Sequence, residues 1–247
     1  MNMIYKLIER YGLIRHIYNY IKYFQNKIIK YDPDDEKVFV IGLNKTGTTS
    51  LKIILKDFGY SLGIQEDAEL INYPTLNGEY KYLYEYMKSA DAFQDVPFSF
   101  RNIYKVIHKR YPKSKFILTV RDNTDVWYSS LVNFTNKRFI MDGEQIKNEI
   151  LLKDIKKLKY RYPNMPYINT KLVWHGDKHV IFDDDDAFDE DYCKYYYNKH
   201  IKEAKEYFKD SENFLILNIE EKDAYNKLCS FLGKKPLHDD MPHENKT

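Results

Sequence analysis

Apolar positions along this chain alternate between two rhythms, short continuous runs and stripes repeating every three or four residues. Val38 to Ile41 is a run rich in β-branched residues, as expected for a strand covered on both faces. Leu51, Ile54, Leu55 and Phe58 then recur at helical spacing until Gly59 stops them. Ala92 and Phe93 suggest a second short strand, with Pro97 preventing its continuation. A helical stripe follows, Phe100, Ile103, Tyr104, Ile107 and Tyr111, closed by Pro112. Phe116 to Val120 is another buried-strand candidate, after which Asn123 and Thr124 offer a helix N-cap. Tyr197, Ile201, Ala204 and Phe208 form a later stripe ahead of a strand over Phe214 to Ile219. This order predicts an α/β fold with a parallel sheet flanked by helices.

The first 31 residues follow a rhythm of their own. Ile4, Leu7, Ile8, Tyr11, Ile14, Tyr18, Ile21 and Ile28 keep helical spacing, among six basic residues and only Glu9 as an acid. Asp32-Pro33-Asp34-Asp35 separates this segment from the first strand. The expected organisation is therefore a basic amphipathic extension over 1–36 and one domain over 37–247. Such a helix packs on its own domain, lies on an anionic membrane surface or meets a second subunit.

Composition narrows the class only a little. With 247 residues and 43% hydrophobic positions, one domain with a sizeable core is affordable. The formal charge of +2 and the absence of a recognition-module signature argue against nucleic acid as a partner. Two cysteines far apart, no zinc spacing, no leader and no bilayer-length apolar run make a reduced cytoplasmic setting the expectation, with membrane association only through the N-terminal helix. Lys153, Lys156, Lys157, Lys159 and Arg161 form a basic cluster, and Asp183 to Asp191 an acidic run. Both read as solvated faces, with an anionic or cationic acceptor as the alternative.

The candidate chemistry lies where the first strand meets the first helix. Gly42 and Gly47 allow a tight turn, and Lys45, Thr46, Thr48, Thr49 and Ser50 crowd the start of the helix, whose positive end favours an anion. A nucleotide kinase is one reading, since these glycines have Walker spacing. Thr48, however, stands where a Walker loop needs lysine. The lysine here is Lys45, two positions before Gly47, so a cation meets the anion from another side.

The segment Lys45-Thr46-Gly47-Thr48-Thr49 resembles the 5′-phosphosulfate loop of sulfotransferases, which use 3′-phosphoadenosine 5′-phosphosulfate (PAPS). In that family an Arg at a strand end and a Ser eight residues on bind the 3′-phosphate, and Arg121 and Ser129 match the pair. Surface alternatives are an ion pair of Arg121 with Asp122 or Asp125 and an ordinary helix-surface Ser129. Cytosolic members carry a His-x-Pro base, and Asp95-Val96-Pro97 occupies that place here. A carboxylate can remove the acceptor proton, which makes Asp95 a candidate base. The alternatives are that it caps a helix starting near Ser99 or orients a lysine. TGTTSL, FILTVRD with Trp127-Tyr128, and LCSFLG most resemble a bacterial-type branch. The Arg-Lys-Gly tail of cytosolic members is missing, and Lys234, Lys235 or Lys246 could stand in for it.

The resemblance implies a three-layer P-loop-like fold, PAPS as donor and adenosine 3′,5′-bisphosphate (PAP) as product, without a metal. Lys45 and Asp95 are then the catalytic candidates. Lys45, Thr46, Gly47, Thr48, Thr49, Ser50, Arg121 and Ser129 are the nucleotide-binding ones. The expected acceptor is the hydroxyl or amino group of a carbohydrate or small metabolite. A kinase and a non-catalytic nucleotide-binding module are the alternatives.

Overall fold

A computed structural model of the chain describes Ile21, Gln25 and residues 29–242, except 144, 146, 148, 159–165, 168 and 171–184. Most of the amphipathic extension, and Lys159, Arg161, Asp183, Asp184 and Lys246, lie outside the described residues.

The strands are β1 (Val38–Val40), β2 (Ala92–Phe93), β3 (Lys115–Val120) and β4 (Phe214–Asn218). They pair in the order β2-β1-β3-β4, and every pair is parallel. Val38 faces Ala92 on one side and Lys115 on the other, while Phe116 registers with Phe214. From β1 the chain goes to one neighbour and then to the other, so the carboxyl edge beside β1 is a topological switch point.

Side chains alternate along each strand, and that alternation sorts the helices into layers. Phe39, Ile41, Phe116 and Leu118 pack with α4 (Lys81–Tyr86), α5 (Ile103–Arg110) and α8 (Glu190–Tyr207). Val38, Val40 and Ile117 face the other way, onto α1 (Thr48–Asp57) and α9 (Ala224–Leu232). The core of the first layer is aromatic: the Phe39 ring lies 5.5 Å from Phe93 and 5.6 Å from Phe116, close enough for offset stacking. Each such side chain contributes about 1.5–3 kcal/mol of burial.

A third apolar cluster sits beyond the carboxyl edge. There Trp127, Leu131 and Phe139 of α6 (Thr124–Met141) meet α7 (Leu152–Ile155), Phe188 and Tyr197. Short helices α2 (Gln65–Leu70) and α3 (Asn72–Leu76) lie on the connection from β1 to β2. Among the described residues no helix is long and apolar enough to cross a membrane.

Several local expectations change. No helix starts near Ser99; α5 begins at Ile103, after a turn in which Ser99 N–H donates to the Asp95 carbonyl at 3.0 Å. Two acids of the run make local backbone bonds: Asp189 accepts from Tyr192 N–H at the start of α8, and Asp186 from Phe188 N–H. Lys157 binds Asp154, and Lys156 lies over the Tyr167 ring.

Candidate active site

The loop from Gly42 to Gly47 is shaped by its neighbours more than by its own side chains. A Cβ on Gly42 would stand 2.0 Å from Thr119 Oγ1 and 2.5 Å from the Thr119 carbonyl, so only glycine lets the end of β1 approach β3 this closely. Gly47 has φ +95°, and a Cβ there would meet Ile219 Cδ1 at 2.3 Å. Lys45 itself takes a left-handed backbone, φ 68°. The α1 N-terminus that follows has no side-chain cap, and such a helix end favours an anion.

This loop opens into a cleft of about 980 Å³ at the carboxyl edge of the sheet, within the roughly 300–1,000 Å³ of small-molecule sites. Lys45, Gly47, Thr48, Thr49, Asp95, Arg121 and Ser129 all line it. Residues from three strand ends and α6 therefore converge on one cleft. Thr46 and Ser50 do not line it. Thr46 is fully buried, with Oγ1 bonded to the Leu43 carbonyl and to Thr119 Oγ1, so its hydroxyl fastens the loop to β3.

Arg121 holds a partner that sequence reasoning missed. Its Nη1 pairs with Glu220, just past β4, and its Nε donates to the Lys45 carbonyl at 2.8 Å. The acids expected to pair with it are engaged elsewhere: Asp122 accepts from Asn218, and Asp125 pairs with Lys194. A guanidinium has five N–H donors, so the outer fork keeps donors for an anion. Only the parallel pairing of β3 with β4, which aligns Val120 with Asn218, reveals Glu220.

The two candidate catalytic groups carry shifted acidities. Burial lifts the Asp95 carboxyl above the ordinary carboxylate range, while the Val96 N–H and then Lys52 and Lys45 oppose that shift. Its Oδ1 accepts from Val96 N–H at 2.8 Å, a contact with its own neighbour and not a helix cap. Lys45 is pushed below the ordinary lysine value by desolvation, then by the charges of Arg121 and Lys137, against Asp95. Its Nζ stands 4.3 Å from the centroid of Phe134, a half-exposed ring on α6.

The remaining walls differ in character. Gln65, Glu69, Asn169 and Thr170 give polar groups, whereas Leu131, Leu158 and Phe188 give apolar surface. Neither Lys234 nor Lys235 lines the cleft; Lys234 lies 5.1 Å over Tyr60, past the far end of α1. Among the described residues no group of three or more His, Cys, Asp or Glu side chains gathers as metal ligands.

A family model described as a sulfotransferase domain matches residues 37–247. Among curated proteins none matches the chain.

Proposed function

The chain belongs to the sulfotransferase family, and from that premise we propose that it moves a sulfuryl group from PAPS to an acceptor hydroxyl by in-line displacement. The observation that supports this reading is the convergence of Lys45, Asp95, Arg121 and Ser129 on one cleft beside an uncapped helix N-terminus. The residues present suit such a donor: a glycine-shaped loop and helix end for its 5′ side, an arginine fork and a hydroxyl for its 3′-phosphate. When bound, PAPS supplies the activated sulfuryl group and a phosphate leaving group.

Each side chain then has a physical task. Asp95 accepts the acceptor proton as the nucleophile advances, worth typically 10²- to 10⁴-fold. Lys45 stabilises the charge that develops on the leaving phosphate, and a preorganised donor of that kind contributes about 2.7–4 kcal/mol. Arg121 and Ser129 fix the 3′-phosphate, so that the reacting atoms meet in line. On the other side, Gln65, Glu69, Asn169 and Thr170 favour a polyhydroxylated acceptor such as a carbohydrate, with an amino group as a variant.

The reading is tested by thermal shift. PAP should raise the unfolding midpoint more than ATP does, and equal or ATP-selective stabilisation would overturn the donor assignment. Lys45→Ala should keep the fold while abolishing transfer; a folded variant with near-normal turnover would remove Lys45 from the chemistry.

A further inference from the structure

Carbonyl oxygens along the loop are held from behind, nearly one after another. The Ile41 carbonyl bonds His200 Nε2 at 2.8 Å. The Leu43 carbonyl accepts from Thr46 Oγ1, the Asn44 carbonyl from Trp127 Nε1 at 3.0 Å, and the Lys45 carbonyl from Arg121 Nε at 2.8 Å. Thr46 is local, but the other donors arrive from α8, α6 and the end of β3.

A trans peptide is planar, so the N–H after each carbonyl points the opposite way. Holding the carbonyls of Leu43, Asn44 and Lys45 therefore fixes the N–H directions of Asn44, Lys45 and Thr46. Trp127 and His200 have no exposed surface and do not line the cleft, so they act on the loop from inside the protein. The same layer grips Arg121: its backbone N–H donates to the Tyr197 hydroxyl at 2.9 Å, and the Tyr197 ring stacks on Trp127 with centroids 4.4 Å apart. Tyr197 and His200 lie three residues apart on α8, which puts both on one helix face.

Resting on the donor assignment above, we propose that Trp127, Tyr197 and His200 are positioning residues for sulfuryl transfer. They set the loop amides and the Arg121 backbone in their binding arrangement before the nucleotide arrives. A loop ordered in advance spares the binding step that entropy cost. Simple core packing would not require the polar atom of each ring to meet a backbone group of the site.

The test compares Trp127→Phe, Tyr197→Phe, His200→Leu and His200→Gln with Phe139→Leu, a core change near the C-terminal end of α6 that removes no hydrogen bond. Two quantities are measured: the unfolding midpoint without ligand, and PAP affinity by calorimetry at a temperature where each variant is folded. Trp127→Phe, Tyr197→Phe and His200→Leu should each weaken PAP binding about five- to tenfold, as loss of one hydrogen bond implies. His200→Gln, which keeps a donor for the Ile41 carbonyl, should recover most of that affinity. Phe139→Leu should lower the midpoint and leave affinity unchanged. Wild-type affinity in Trp127→Phe, Tyr197→Phe and His200→Leu, with only their midpoints lowered, would overturn the proposal and leave the donor assignment standing. Tyr197→Phe removes a single oxygen, so it keeps the comparison decisive if a larger change fails to fold. A wild-type protein that does not bind PAP would remove the donor assignment and this proposal together.

Discussion

Asp95 holds its carboxyl on a backbone with φ 61°, a conformation that costs a non-glycine residue of order 1–3 kcal/mol. That arrangement puts the carboxyl at the cleft, where burial keeps its proton above the ordinary carboxylate range. A base must first be ionised, so kcat/KM should rise with pH along an acid limb lying higher than a free aspartate would give. Lys45 sets the opposite limb: its acidity is already increased by desolvation, so activity should fall at a pH below the usual lysine value. The resulting bell is read from initial rates across pH. Asp95→Asn should cost about 10²- to 10⁴-fold in kcat while retaining PAP binding; equal loss of both would make Asp95 structural. Gly42 is a second decisive residue. Gly42→Ala places a methyl 2.5 Å from the Thr119 carbonyl and 2.7 Å from its nitrogen, contacts that trimming the Thr119 side chain cannot relieve. It should destabilise the fold by about 1–3 kcal/mol or more in urea unfolding, and Thr119→Ala should not restore it.

Between elements, the work is done where strand ends meet. Arg121 joins the end of β3 to the β1 loop through the Lys45 carbonyl, and to the end of β4 through Glu220. Lysine offers neither the Nε donor nor the planar fork. Arg121→Lys should therefore weaken PAP by roughly 1.5–3 kcal/mol, seen by calorimetry, although the charge is kept. The strands and α1 were legible in sequence because continuous apolar runs and a 3.6-residue stripe are local properties: Phe116 to Val120 lies within β3, and Gly59 falls just past α1. Lys45, Arg121 and Ser129, which line the cleft, could be singled out because the spacings that mark them are local too. Glu220, Tyr197 and His200 were not. They act on groups far along the chain, 76 residues away for the Tyr197 bond and 159 for that of His200, and nothing in their immediate sequence marks them. α6 was hard to read for another reason. Trp127 and Leu131 are buried, yet Val126, Phe134 and Met141 are exposed, so the helix has no single apolar stripe.

At the scale of the whole molecule, the sheet, the site and the stability of the fold share one buried group. His200 lies between the first layer and the carboxyl edge, bonded to the end of β1, with the Tyr104 ring of α5 at 6.0 Å. Desolvation lowers its pKa to about 4; the bond to the Ile41 carbonyl opposes this shift and the nearby Arg101 charge adds to it. The folded state thus refuses a proton that the unfolded chain accepts at its ordinary 6.5. Between those values the unfolded chain binds more protons, so stability falls as pH falls. The stabilisation is fully present above pH 6.5 and is lost on acidification toward pH 4, where the folded histidine also titrates. For this single group the expected loss at pH 5 is about 2 kcal/mol. Urea unfolding at pH 7 and pH 5 measures it, with His200→Gln as reference because glutamine does not titrate. The wild type should lose about 2 kcal/mol more than the variant between the two pH values. A parallel decline would mean that His200 is protonated in the folded protein and that its bond to the end of β1 does not depend on the neutral ring. Because the folded ring stays neutral over most of that range, its bond to the Ile41 carbonyl persists, so PAP affinity in the folded wild type should change no more between pH 7 and pH 5 than it does in His200→Gln.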